Sequence, residues 1–429
     1  MWSSDRFFGR EFEMNDGPFY LLTYINAFAF GSIQLCNQKK LQTMDTKEKI
    51  FPYLLPLCAC VFLGYCTVGI SLGVLPAFIH GTLHFSNLVV GGVIGIQSAA
   101  TLACRHFSGT LCDTKGSRVA VQYGAALSAV SGLAYLAANT LSAYPDGSLT
   151  ILLLGRILLG GGESLLITGA LAWGIGLLGH QRSGKVMAWV GIAMYGAVAC
   201  GAPLGILLRG FAGTGAAFAA VTILPLLGGL VILRLRSLAA IGHTRIPFYK
   251  VMRQVGSAGP GLALGTVGFG GLASFISLYF AQKGWPGAPL ALTVFGIAYI
   301  LVRLFFAHLP DRFGGARVAL VSLLVEAGGQ VLLWFAPSPI LALTGATLTG
   351  LGFSLVFPSF GVEAVRRLAP ENKGVALGAY VAFFDLSMGL TAPLAGWIAG
   401  QWGYAAIYCF GALSAGASAL LALSLRKRT

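Results

Sequence analysis

The chain has 429 residues, of which 56% are hydrophobic and 10% charged, and its mean hydropathy is +0.79. A soluble domain carries about 25% charged residues, so too few charges remain to cover a water-facing surface, which excludes a soluble enzyme, a disordered chain and a nucleic-acid-binding module. The net charge of +14 then reads as loop charge that sets the topology of an integral membrane protein.

In chain order, the first 43 residues differ in character from the rest of the chain. Residues 19–36 are apolar, but Thr23, Asn26 and Gln34 interrupt them, and no small-residue cleavage site comes after them to make a secretory signal. Met44 opens a short charged segment that leads straight into the first apolar run, so it is the expected start, with 1–43 an upstream extension. Runs long enough to cross a bilayer, about 20 residues each, fall at 52–79, 87–105, 118–138, 150–174, 186–208, 215–234, 255–281, 288–306, 317–336, 340–365, 374–399 and 404–425. These twelve spans fill the chain from residue 50 and leave no room for a soluble domain. Strands of a membrane barrel would alternate apolar and polar at every second residue, so the spans are helices. Of the 28 Lys and Arg residues, 23 lie in alternate breaks and at the ends, and only Arg209 and Lys283 lie in the other breaks. That bias predicts two cytoplasmic termini. The eight cysteines lie mostly inside the apolar runs and read as small hydrophobes.

The chain also repeats itself. Arg105, Asp113, Gly116 and Arg118 after span two recur as Arg303, Asp311 and Gly314 with Arg312 and Arg317 after span eight, the two aspartates being 198 residues apart. Ala202-Pro203-Leu204 in span five recurs 190 residues later as Ala392-Pro393-Leu394 in span eleven. Thr67-Val68-Gly69 of span one recurs 199 residues later as Thr266-Val267-Gly268 in span seven. Three matches, each six spans apart, predict an N-terminal segment (1–49), a six-helix half (50–234), a basic cytoplasmic linker (235–254) and a second half (255–429). Both halves begin on the same side, so the repeat is parallel, about an axis along the membrane normal.

Gly109-x-Leu111-x-Asp113-x-x-Gly116-x-Arg118 resembles the signature loop between the second and third helices of the major facilitator superfamily. Leu309-x-Asp311-Arg312-x-Gly314 is its degenerate copy, and Arg156-x-x-x-Gly160-x-Gly162 is similar to the superfamily's fourth-helix motif. More narrowly, the stretches 201–205, 352–358 and 391–396 resemble the YhhS/YfcJ group of bacterial transporters. The resemblance covers roughly 50–429 and implies a cavity lined by spans one, four, seven and ten, with two, five, eight and eleven beside them. The likeness to the YhhS/YfcJ group also implies efflux; the span-five Gly-Pro motif of the superfamily's antiporters is only approximated by Gly201-Ala202-Pro203, which counts against antiport.

The duplicated turn has a physical reading of its own. Asp113 sits at a helix end in a glycine-punctuated turn where Arg105 or Arg118 can pair with it, and such a cluster can lock cytoplasmic helix ends in one conformation and release them in another. Gly109, Asp113, Gly116, Arg118, Arg105, Asp311, Arg312, Gly314 and Arg303 are therefore the expected cytoplasmic gate.

Charges inside spans are the sharpest functional markers, each costing about 2.5–3.5 kcal/mol or more at the bilayer centre. Arg156, Glu163, Glu326 and Asp385 are of this kind. A carboxyl inside a span can exchange a proton as its surroundings alternate between wet and dry. Glu163 and Asp385 are thus the proton-coupling candidates, with Glu326 next, although on span nine it suits an interhelical hydrogen bond equally well. The resemblance places Arg156, Glu163 and Asp385 on the translocation path; Arg156, Gln97 and Tyr195 are the expected cavity residues. Gly174-x-Gly176-x-x-Gly179 has dinucleotide-fingerprint spacing but closes a membrane helix with no strand before it, and His80 with His84 lacks a third metal ligand. The expected protein is a secondary transporter that moves a small solute across the bacterial inner membrane by alternating access. Proton-coupled efflux leads and proton-coupled uptake is the alternative. It is expected to act as a monomer in the bilayer, without cofactor, metal or nucleic acid. A non-transport receptor or lipid-modifying enzyme is the competing class.

Overall fold

The computed structural model describes residues 51–179, 182–237, 255–365 and 373–426. The expected start at Met44, the 1–43 extension and most of the 235–254 linker lie outside the described residues. Helix α1 (Phe51–Ala77) runs on into a π-helical turn, Phe78–Thr82, and is followed by α2 (Asn87–Lys115), α3 (Ser117–Thr140) and α4 (Pro145–Leu178). The next apolar helical stretch, Ser183–Arg234, is 52 residues long, about twice what a bilayer accommodates. It breaks at Gly213, whose φ of 81° and ψ of 173° are open essentially to glycine alone, and so supplies two spans, α5 (183–212) and α6 (214–231). The second set comprises α7 (Ala258–Gln282), α8 (Ala288–Phe306), α9 (Gly315–Trp334), α10 (Pro339–Val365), α11 (Lys373–Trp402) and α12 (Ala405–Arg426). A single turn of helix, Leu309–Phe313, sits between α8 and α9.

The described residues are therefore all-helical, with twelve apolar helices. The largest boundary difference from the sequence expectation is in span two. Span two was expected to end at Arg105, where the apolar run stops, but α2 continues to Lys115 and ends at Gly116. Gly116 (φ 93°) and Gly314 (φ 88°) turn the chain in the same way in the two copies of the signature loop.

Helix contacts repeat every six helices. The pairs α3–α4, α2–α4 and α3–α6 recur as α9–α10, α8–α10 and α9–α12. Close approach of α1 to α5 and α6, at Gly69, Gly73 and Gly228, recurs in α7, at Gly270 against α11 and Gly271 against α12. Two pairings join the halves, α2 with α11 and α5 with α8, and a six-helix shift converts one into the other. At the α5–α8 seam, Pro203 has no N–H to give the carbonyl of Ala199, and Thr293 Oγ1 of α8 donates to that oxygen at 3.0 Å. At the α2–α11 seam, Pro393 likewise leaves the Gly389 carbonyl free, and it lies against Gly95.

The bundle has two unlike ends. One apolar cluster drawn from both halves runs through the bundle, and at the far end, where α1 turns into α2, it includes Ile70, Leu75, Phe78, Ile79, Val90, Phe275 and Phe280. Toward the near end, where α1 starts and α12 finishes, the seam between the halves carries the charged side chains.

Candidate functional site

Three side chains on one stripe of α2, each four residues from the next, build the site: Gln97, Thr101 and Arg105. Arg105 crosses the α2–α11 seam to Asp385. Its Nε and Nη2 form a two-pronged ion pair with the carboxylate, Nη2 donating to Oδ1 at 3.0 Å. The Asp385 side chain is 4% exposed and that of Arg105 18%. Glu163 of α4 accepts at both oxygens: Tyr65 OH of α1 donates to Oε1 at 2.6 Å, and Gln97 Nε2 donates to Oε2 at 2.7 Å. Thr101 Oγ1 adds a contact to Oε2 at 3.3 Å. Glu163 lies within electrostatic reach of both Arg105 and Asp385, so one guanidinium sits with a carboxyl of its own half and one from across the boundary between the halves. A single proton makes that cluster neutral.

The other residues singled out from the sequence are distributed differently. Arg156, expected at the cavity, is instead 1% exposed and engaged inside the N-terminal half. Its Nε and Nη2 donate to the carbonyls of Val93 and Ile94 at 3.0 and 3.1 Å, and Nη1 lies 3.5 Å from Tyr135 OH. It pins α4 to α2 seven residues before Glu163. Tyr195 of α5 belongs to an aromatic group at the other seam, with its ring centroid 3.9 Å from that of Tyr299 and 6.0 Å from that of Phe353. Glu326 is fully buried inside the second half against Gly268 of α7 and Gly352 of α10, and neither carboxyl oxygen has a hydrogen-bond partner among the described residues. One turn on, Gln330 donates to Thr349 Oγ1 at 3.1 Å.

The gate residues divide into two levels. Asp113, Gly116 and Arg118 sit at the α2–α3 turn, where Arg118 Nη2 donates to the Leu233 carbonyl at 3.0 Å and ties the start of α3 to the 3-10 turn Ile232–Arg234 that follows α6. Asp311 and Arg312 are exposed at the matching turn before Gly314. Arg105, expected at that turn, is inside α2 on Asp385, and Arg303 is buried inside α8 with Nη2 donating to Tyr299 OH at 2.5 Å. Gly109 lies within α2.

Two six-helix sets share one contact pattern and meet along an ionic seam and an aromatic one. Residues 57–292 and 258–429 match the family model described as Major Facilitator Superfamily. The chain belongs to the major facilitator superfamily. It is 45% identical over 385 residues to an uncharacterized MFS-type transporter of Pseudomonas aeruginosa (strain UCBPP-PA14), covering 90% of this chain and 96% of that one. An uncharacterized MFS-type transporter of Burkholderia pseudomallei (strain 1106a) is 43% identical over 381 residues, covering 86% of this chain and 90% of the other. Among solved structures, a D-xylose–proton symporter superposes with a TM-score of 0.69 at 16% identity, over 85% of this chain and 97% of that one. This major facilitator protein is thus a multi-pass membrane transporter of small molecules and not an enzyme. Its site includes two residues that sequence reading passed over, Tyr65 and Thr101. Thr101 carries a legible signal, because it falls midway in the four-residue rhythm from Gln97 to Arg105. Tyr65 carries none, since a tyrosine in an apolar span is ordinary.

Proposed function

We propose that this transporter couples export of a small solute to proton entry across the bacterial inner membrane, as a monomer with both termini in the cytoplasm. The carrying observation is the Arg105–Asp385 ion pair across the α2–α11 seam, beside the hydrogen-bonded Glu163. A proton on Asp385 removes the charge that holds Arg105, which loosens the near-end seam; a proton on Glu163 leaves Arg105 wholly to Asp385 and tightens it. Proton arrival thereby biases which half-to-half arrangement is favoured, as alternating access requires. The near end is the cytoplasmic one by the distribution of Lys and Arg. Export, as opposed to uptake, is supported by the resemblance of 201–205, 352–358 and 391–396 to the YhhS/YfcJ group.

The test uses everted membrane vesicles with an acid interior and a dye that reports the pH gradient, challenged with a library of small metabolites. An exporter that exchanges solute for protons dissipates the gradient when its solute is added outside, whereas an uptake symporter does so only when the solute is inside. Glu163→Gln or Asp385→Asn is expected to abolish the response at equal expression. If both variants respond like the parent, neither acid carries the coupling proton, and Glu326 becomes the acid to test.

A further inference from the structure

Passing from one half to the other preserves an arginine and exchanges everything around it. The 198-residue offset that relates the signature loops carries Gln97, Thr101 and Arg105 of α2 onto Phe295, Tyr299 and Arg303 of α8. The 190-residue offset that relates the span-five and span-eleven prolines carries Tyr195 onto Asp385. Applied to α4 and α10, the same offset carries Glu163 onto Phe353. The packing agrees: a Cβ on Gly160 would strike the carbonyl of Gln97, and one on Gly350 would strike that of Phe295. Gln97, Thr101, Glu163 and Asp385, four of the groups that neutralise or hydrogen-bond the cluster at Arg105, are thus replaced by aromatic rings at Arg303, while Tyr65 falls onto Leu264 by the span-one offset of 199.

The consequence is a buried cation without a carboxylate partner among the described residues. Arg303 is 8% exposed; its Nη2 donates to Tyr299 OH, its carbon Cζ lies 5.2 Å from the Tyr299 ring centre, and its Nε has no partner among the described residues. The ring centres of Tyr195, Phe353 and Phe295 stand 3.9, 6.1 and 6.4 Å from that of Tyr299. Arg156 shows what a purely structural arginine looks like in the same bundle, with its donors placed on two backbone carbonyls and a tyrosine. Burial of a guanidinium away from water is unfavourable unless an anion or several acceptors meet it, and its planar fork matches a carboxylate or phosphonate at two points.

We infer that Arg303, with the rings of Tyr195, Phe295, Tyr299 and Phe353, holds the charged end of the transported solute, and that this solute is an organic anion with a planar apolar body. This deepens the proposed transport function and rests on it. The arrangement divides the labour between the seams: the solute's charge is bound at α5–α8, and the coupling proton at α2–α11. The aromatic rings exclude water around the anion and offer the solute's body an apolar surface.

The experiment is ligand binding to the purified full-length protein, read as thermal stabilisation and as tryptophan fluorescence, with benzoate and phenylphosphonate as anionic probes and benzamide as the neutral one. Either anion is expected to raise the melting temperature in a concentration-dependent way, with benzamide without effect. Arg303→Gln is expected to weaken anion binding at least roughly tenfold, the loss of a charge-assisted hydrogen-bond pair. Arg303→Lys keeps a charge at the position and covers the case in which the glutamine variant does not fold; it is expected to bind more weakly than the parent because an ammonium cannot make the two-point contact. Equal stabilisation by benzoate and benzamide, no stabilisation by either anion, or unchanged affinity in Arg303→Lys would each overturn the assignment. Because binding is read without flux, those results leave proton coupling intact, and a failure of the vesicle test for Glu163 and Asp385 leaves the anion site intact.

Discussion

Arg105, Arg156 and Arg303 are all arginines in the interior of this bundle, and their partners give them three different roles. Arg156 fastens two helices of one half, Arg105 bridges the halves through Asp385, and Arg303 meets only a tyrosine among the described residues. Removing one member of a buried ion pair leaves the other charge uncompensated, which costs about 3–5 kcal/mol, whereas removing both returns much of that. Arg105→Gln and Asp385→Asn are each expected to lower the unfolding temperature in detergent, and the double variant to recover most of the loss. Additive losses in the cycle would show that the two side chains stabilise the protein independently. At this scale the sequence exposed the acids, because a carboxylate inside an apolar run is conspicuous, but it placed Arg105 in a loop. Hydropathy falls at the first charge, while the helix itself runs ten residues further to its glycine stop at Gly116.

At Gly91, Gly95 and Gly396, helices α2 and α11 approach so closely that side chains are excluded between them. A Cβ on Gly95 would lie 2.5 Å from the Gly389 carbonyl and 2.8 Å from Cδ of Pro393, and Gly91 and Gly396 face the backbone of the opposite helix in the same way. The contact belongs to the far-end closure, where Tyr404 OH also donates to Asn87 Oδ1 across the halves at 2.8 Å. Gly95→Val is therefore expected to loosen the packing of the far end and, under the proposed alternating access, to favour an arrangement open there. In a cysteine-free background, a cysteine replacing Ile79, which is fully buried in the far-end cluster, is expected to react with a membrane-impermeant thiol reagent about tenfold faster when Gly95→Val is added. Unchanged labelling would mean that the glycine seam does not govern closure. The paired prolines behind this seam were legible as a repeat; that they free carbonyls facing the partner half was not, because it depends on how α5 and α11 are rotated about their axes.

The molecule as a whole is two similar halves joined along two seams that differ in chemistry, ionic at α2–α11 and aromatic at α5–α8. Gly116 and Gly314 set the same bend at the two near-end turns, which are the parts expected to shift under the proposed alternating access. Asp113→Asn removes charge at that turn without changing shape. It is expected to leave folded protein in the membrane and to reduce turnover roughly five- to a hundredfold, the range of a conformational coupling energy. Solute-dependent flux near the parent level at equal expression would remove Asp113 from the gate.

By itself, the sequence determined the number of spans, their helicity, the parallel repeat and the family, because each derives from properties local to about 20 residues or from matches along the chain. Only the tertiary structure decided which charges meet. Arg105 and Asp385 are 280 residues apart, and each is one of several buried ionisable groups that composition alone leaves interchangeable. Their pairing is fixed by the depth and rotation of α2 and α11 in the packed bundle, set in turn by backbone approach at glycines. The same packing withdrew Arg156 into the scaffold and left Arg303 among aromatic rings, and no hydropathy pattern distinguishes those two arginines.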